Sequence, residues 1–177
     1  MNVTNGVTHR RWLRQCNPGL SACISARIGE GWIRDATELK QLEAFVDDPT
    51  FLEELRAVKQ WNKARLAVKV QEVLGVHIDS QSLFDVQIKR LHEYKRQLLN
   101  VLHILALYLR LRDGVDTNPV PRTFVFSAKA APSYSAAKHI IKLIHSVARM
   151  LEADPRVRDS LRVVFLPNYN VSLAEVI

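Results

Sequence analysis

Lysine and arginine occur as two close pairs, Lys89-Arg90 and Lys95-Arg96, on either side of Leu91-His92-Glu93-Tyr94. Four cations packed into one short segment repel each other, and such a cluster persists cheaply only when an anion sits among them. A guanidinium can grip a tetrahedral oxyanion with two parallel hydrogen bonds, while a lysine beside it acts as a point charge. The segment follows alternating apolar residues (Phe84, Val86, Ile88) that suit a half-buried strand, and it closes into an apolar helix from Leu98 onward. First-turn N–H groups of a helix favour negative charge as well. The chemistry is therefore that of a site for phosphate or another compact polyanion. The plain alternative, a solvated basic helix start, stays open on charge alone. His92 and Glu93 resemble an acid/base pair, but adjacent helical residues do not face each other, so local pairing or packing is expected of them.

The elements that must position these residues are legible from periodicity. Residues 1–20 read as an irregular leading segment that ends near the turn Asn17-Pro18-Gly19. Asp47-Asp48-Pro49 then opens a helix with an apolar stripe of Phe51, Leu55, Val58, Leu66, Val70 and Val73, and Gly75 stops it. Trp61 is expected to pack this helix against its neighbours. After Gly75 short β-like runs alternate with helices: Leu83–Ile88, a helix to about Arg112, Thr123–Phe126, a helix from about Ser133 to Leu151, and Leu161–Leu166. That alternation predicts an α/β fold, a Rossmann-like parallel sheet with right-handed crossovers preceded by a helical segment. Residues 1–75 supply the leading loop and helices, and 76–177 a βαβαβ unit, together one partial domain. The helix after Leu98 is apolar almost all round and should be buried on more than one side. The next one sets Lys138, His139, Lys142, His145 and Arg149 opposite Ile140, Ile141, Ile144, Val147 and Leu151, so His139 and His145 read as ordinary surface residues.

In open parallel sheets ligands bind beyond the carboxyl ends of the strands. Lys89–Lys95, Ser127–Tyr134 and Asn168–Ser172 are the segments that follow the three strands. Lys89, Arg90, Lys95, Lys129, Tyr134 and Tyr169 should thus come to one edge.

Composition narrows the function classes. The net charge of +7 is scattered along the chain without zinc-finger spacing or an RNA-recognition aromatic motif, so no nucleic-acid partner is expected. The longest apolar region, Leu98 to Leu111, is interrupted by Asn100, His103 and Arg110 and is too short for a bilayer, so no membrane partner is expected. Cys16 and Cys23 lack the partners of a disulfide framework or a metal site. With no apolar leader after Met1, the expected location is cytoplasmic.

Four blocks carry a family resemblance. Lys89-Arg90-Leu91-His92-Glu93-Tyr94-Lys95-Arg96-Gln97-Leu98-Leu99-Asn100 resembles the phosphate-site segment of the glycogen/α-glucan (maltodextrin) phosphorylases. Thr4-Asn5-Gly6-Val7-Thr8-His9-Arg10-Arg11-Trp12 is similar to the segment that begins their C-terminal domain. Lys129-Ala130-Ala131-Pro132-Ser133-Tyr134 and Asn168-Tyr169-Asn170-Val171-Ser172-Leu173-Ala174-Glu175 match later blocks in the same order. The resemblance implies the first part of a GT-B C-terminal domain. It also implies a homo-oligomeric enzyme that phosphorolyses terminal α-1,4-glucosyl units to glucose 1-phosphate with the help of the phosphate group of pyridoxal phosphate.

By residue match Arg90 and Lys95 would hold the substrate phosphate and Lys89 would neutralise the cofactor phosphate. Tyr94 and Asn5 would bond sugar hydroxyls, and Trp12 and Tyr169 would line the cofactor pocket. Trp12 has a plainer reading as core and Asn5 as a turn residue before Gly6, while Tyr134 reads as a pocket wall ahead of plain packing.

The sequence also departs from the family. Ser127-Ala128 stands where many members have Gly-Gly, so added side chains could narrow the approach to a ligand. Ser133 replaces glycine or alanine, and Asn170 stands where animal members carry arginine. The family's cofactor lysine, in a Gly-Thr-x-Asn-Met-Lys-Phe-like motif, has no counterpart in these residues. The expectation is therefore a fragment, inactive by itself. The alternative is a stand-alone anion or sugar-phosphate binder.

Overall fold

The computed structural model describes residues 8–177, so Asn5 lies outside the described residues. The chain divides into two compact units, one running up to Arg65 and including Glu175–Ile177, the other Leu66–Ala174.

The first unit is helical. Helix α1 (Pro18–Ile28) is capped by Asn17, whose Oδ1 accepts from Leu20 N at 3.2 Å, with proline in its first turn. Short 3₁₀ segments, Gly31–Ile33 and Ala36–Phe45, lead into α2 (Pro49–Leu74). Asp48 caps α2 through Thr50 N and Phe51 N, and Gly75 at φ +68° follows its last residue, as expected. Trp32 is fully buried and donates from Nε1 to Ser25 Oγ at 3.1 Å.

Two expectations fail here. The leading segment is not irregular throughout: Arg10–Gln15 forms a π-type helical turn, closed by Cys16 N to Arg11 O at 3.0 Å. A single wide turn is too short to write a repeat into the sequence. Trp61 does not pack inward but is 55% exposed, with the Arg65 guanidinium over its ring. Its neighbour Asn62 points inward and donates to Asn17 Oδ1 at 3.0 Å.

The second unit holds a three-stranded, wholly parallel sheet in the order β1 (Leu83–Ile88), β2 (Arg122–Ser127), β3 (Leu161–Leu166). Helix α3 (Gln97–Arg112) joins β1 to β2, and α4 (Ser135–Ala153) joins β2 to β3. This is the expected Rossmann-like arrangement, with β1 and β3 bounded as read and β2 one residue longer at each end. Phe124 and Phe126 of β2, with Leu161, Val163 and Phe165 of β3, face Ile140, Ile144, Val147 and Leu151 of α4 in one core, joined by Val101 and Ile104 of α3. Phe84, Val86 and Ile88 register with Thr123, Val125 and Ser127 and so belong to the opposite sheet face. β1 is an edge strand, so Phe84 and Ile88 are half-buried and Val86 is exposed.

Helix α3 corrects the expectation of burial on more than one side. Gln97, Val101 and Ile104 are buried, and Leu105, Tyr108 and Leu111 lean on the core. Leu98, Leu99, Leu102 and Leu109 are exposed. An edge position next to β1 offers the helix one packing surface only.

A short α5 (Val171–Val176) ends the chain, capped by Asn170 Oδ1 accepting from Leu173 N at 2.9 Å. Among the described residues no helix is long and apolar enough to cross a membrane.

Candidate functional site

Because all three strands run parallel, the segments after β1, β2 and β3 leave the sheet at the same edge. Lys89, Arg90, Lys95, Lys129, Tyr134 and Tyr169 of the second unit all lie on these segments.

The first segment continues the β-ladder past the end of β1. Lys89 N donates to Ser127 O at 3.1 Å and Leu91 N to Lys129 O at 3.0 Å. Leu91 is buried in the core, while Arg90 is exposed and Lys89 half-buried. The alternation is that of a strand: one apolar anchor inward, a cation outward. The chain then makes a 3₁₀ turn, Glu93–Lys95, and Arg96 takes a left-handed conformation at φ +65° to enter α3. The cation pairs are thus not a helix start. Helix α3 begins only at Gln97, with Arg96 as its cap and the other three cations ahead of it.

Side chains tie this turn to the segment after β2. Tyr134 Oη donates to Glu93 Oε2 at 2.6 Å and accepts from Glu93 N at 3.3 Å. The His92 ring lies 4.2 Å from Tyr94 and 5.2 Å from Tyr134, centroid to centroid. Glu93 and His92 therefore pair locally and do not form an acid/base couple. The hydrogen bond to the Glu93 carboxylate holds the Tyr134 phenol above its ordinary pKa. Tyr94 stands out into solvent with Lys95 Nζ 5.7 Å from its ring centroid.

Among the described residues none of Lys89, Arg90, Lys95, Arg96 and Lys129 is in an ion pair, whereas Arg11, Arg27, Arg110, Arg112, Arg156 and Arg162 each face a carboxylate. Unpaired cations such as Arg14, Lys138 and Arg149 also lie elsewhere among the described residues, so what sets this edge apart is four of them within Lys89–Arg96. The acid within the cation segment, Glu93, is taken up by Tyr134.

The segment after β2 answers the question raised by Ser127-Ala128. Ser127 is fully buried and its Oγ donates to Leu166 O at 2.7 Å, bridging β2 to β3. Ala128 lies in the core. Neither side chain stands out from the sheet edge toward a ligand. After β3, Asn168 is left-handed at φ +56° and Tyr169 is half-buried.

Trp12 belongs to the first unit. It is half-buried, and its Nε1 is a buried donor without an acceptor among the described residues. The apolar hollow of about 490 Å³ in that unit, lined by Leu20, Ile24, Leu42, Phe45, Phe51 and Leu55 among others, offers almost no polar surface and is unsuited to phosphate.

Sequence reasoning passed over three amides that touch this segment. Gln87, Gln97 and Asn100 bond to its carbonyls or to each other. The signal was present: Gln87 in a strand and Asn100 in a helix are polar interruptions of apolar runs.

Comparison with known proteins bears on the same residues. A family described as Phosphorylase: Carbohydrate phosphorylase matches residues 1–177. The chain is 52% identical over 174 residues to the glycogen phosphorylase of Bacillus subtilis (strain 168), covering 98% of this chain and 22% of that protein. It is 52% identical to the muscle form of glycogen phosphorylase of Mus musculus, covering 98% of this chain and 21% of that protein. The muscle form of Homo sapiens is 51% identical over the same shares. The chain spans about a fifth of the length of these relatives.

Proposed function

The chain belongs to the carbohydrate phosphorylase family, and on that premise we propose that its second unit carries the phosphate site of an α-glucan phosphorylase. The whole stretch is then the first part of the family's C-terminal domain. The reaction is phosphorolysis of a terminal α-1,4-glucosyl unit of a glucan, releasing glucose 1-phosphate. The observation that carries this reading is the unpaired cation edge: Lys89, Arg90, Lys95, Arg96 and Lys129 at the carboxyl ends of parallel strands, none with a carboxylate partner among the described residues.

In this proposal Arg90 and Lys95 hold the attacking phosphate, the guanidinium by paired hydrogen bonds and the ammonium as a mobile charge. Lys89 neutralises the phosphate of pyridoxal phosphate, Tyr94 and Asn5 bond sugar hydroxyls, and Trp12 and Tyr169 line the cofactor pocket. The residues of the second unit suit such a group in charge, since Lys89, Arg90, Lys95, Arg96 and Lys129 leave cations over once one phosphate is held. When bound, pyridoxal phosphate supplies a second phosphate group close to the substrate phosphate. Two phosphates side by side need dense fixed positive charge that costs no reorganisation during the reaction. The exposed Tyr94 phenol suits a sugar hydroxyl, which binds at low cost in wet surroundings.

The family partners follow: phosphate, glucose 1-phosphate, α-1,4-glucan and, in a homo-oligomer, a second copy. The exposed leucines of α3 support self-association, because covering them removes apolar area from water. The free thiols of Cys16 and Cys23 support a reducing compartment, the cytoplasm.

The test is phosphate binding by calorimetry. Arg90→Ala should weaken it by about 10- to 100-fold, the loss of charge-assisted hydrogen bonds worth roughly 1.5–3 kcal/mol. Unchanged affinity would remove the proposal. A narrower reading, anion binding without turnover, is supported by the lack of a Gly-Thr-x-Asn-Met-Lys-Phe-like motif in these residues. The purified 177-residue chain should accordingly show no phosphorolysis of maltodextrin, and detectable glucose 1-phosphate would contradict that.

A further inference from the structure

We propose that Gln87, Asn100 and Gln97 are positioning residues that brace the cation-bearing loop, acting through the backbone carbonyls of the two residues assigned to phosphate. The inference rests on the phosphate reading above and extends it to groups that touch no ligand. Gln87 Nε2 donates to Lys95 O at 3.3 Å, and Gln97 Nε2 donates to Arg90 O at 3.3 Å. The carbonyls held are thus those of Arg90 and Lys95.

The donors come from rigid elements on either side of the loop. Gln87 lies in β1, on the face it shares with Phe124 and Phe126 of β2, and Gln97 opens α3. Asn100, one turn into α3, donates from Nδ2 to Gln87 Oε1 at 3.0 Å. That contact fixes which way the Gln87 amide faces. With its oxygen taken by Asn100, its nitrogen is left for Lys95 O; turned over, the amide would set donor against donor at Asn100 and acceptor against acceptor at Lys95. Gln97 is only 2% exposed, and its Oε1 is buried without a partner among the described residues. A buried amide satisfied on one side only is retained at a cost, which argues for a task beyond filling space.

The task follows from charge. Lys89, Arg90, Lys95 and Arg96 repel each other before any anion arrives, and Arg96 already sits in a left-handed conformation that side chains disfavour. An unbraced loop would open and would have to be gathered again on binding, at a cost in affinity. A carbonyl oxygen engaged by an amide is also kept from facing an incoming oxyanion. The amides therefore serve a pre-formed anion site by orienting the peptide groups from which the ligands spring.

The experiment is phosphate binding to the 177-residue chain across a salt series, with thermal unfolding of each variant. Gln87→Met keeps length and removes the donor. Its phosphate affinity should fall about three- to tenfold, the range for one neutral hydrogen bond, with the salt slope unchanged because no charge is removed. Asn100→Leu should weaken binding less, and the double variant should be no weaker than Gln87→Met alone, because Asn100 acts through Gln87. Arg90→Ala lowers both affinity and salt slope. Gln87→Met binding as tightly as the parent, or additive losses in the double variant, would overturn the brace while leaving the phosphate site intact. Parent binding that Arg90→Ala does not weaken would overturn the phosphate reading and the brace with it. Should Gln87→Met lower the unfolding midpoint, the Asn100→Leu variant decides: weaker binding supports the brace and equal binding overturns it.

Discussion

The two crossover halves of the sheet follow one strand–loop–helix plan and put it to different uses. In the half built on β2, α4 and β3, the strands are almost wholly buried, and α4 sets Ala137, Ile140, Ile144, Val147 and Leu151 into the core. Its cations stay on the outer face, and its end is tied by Asp154, which pairs with Arg156 and accepts from Tyr108 Oη. In the half built on β1 and α3, the strand is only half-buried, four leucines of the helix face outward, and polar Gln87 and Asn100 stand where packing residues would otherwise be. Arg110 and Arg112 at the end of α3 pair with Asp116 and Asp113, but the loop cations Lys89, Arg90, Lys95 and Arg96 are in no ion pair among the described residues. One half is built on a buried apolar core, the other carries a charged loop whose carbonyls are held by side-chain amides.

The contrast is broken or sharpened first by core truncation. Ile144→Ala should cost about 2–5 kcal/mol, whereas Leu102→Ala on the exposed face of α3 should stay within about 0.5 kcal/mol. Urea unfolding monitored by circular dichroism measures both, and equal losses would mean that the α3 face is covered in solution. The next test asks what covers it. Leu102→Lys should shift the 177-residue chain toward monomer in light scattering at high concentration. A parent that is already monomeric would leave the leucines without a role in self-association.

The smallest effects are pH-dependent. The Tyr134 phenol is raised by its hydrogen bond to Glu93, so the folded state holds that proton more tightly than the unfolded chain. The contribution is complete below the ordinary tyrosine pKa and is lost as pH rises through the higher folded value. Tyr134→Phe should flatten this alkaline decline, and an unchanged stability profile from neutral to strongly alkaline pH would count against the Glu93 contact. In the other half the sign is reversed. The Arg156 guanidinium beside Asp154 holds its carboxyl well below the usual carboxylate range, so that contribution is present above the unfolded pKa and lost on acidification. Asp154→Asn should flatten the acid limb while leaving phosphate binding alone.

Much of the architecture was legible because it is written in local terms. Alternation and helical period located β1, β3, α2 and α4, and Asp48 and Gly75 marked the ends of α2 through chemistry that needs no tertiary partner. Parallel strands with crossovers then determined that Lys89, Arg90, Lys95, Lys129, Tyr134 and Tyr169 follow the carboxyl ends of strands at one edge. Tertiary structure decided what local pattern leaves open. An apolar helix is buried only as far as its neighbours reach, so α3 next to an edge strand keeps Leu98, Leu99, Leu102 and Leu109 in contact with solvent. Asn62 and not Trp61 points inward because Asn17 offers it a hydrogen bond from a residue distant in sequence. Glu93 goes to Tyr134, and Gln87 to the Lys95 carbonyl, because side-chain hydrogen bonds depend on distances that only the folded chain sets. Charge and period are properties of the chain; burial and partnership are properties of the fold.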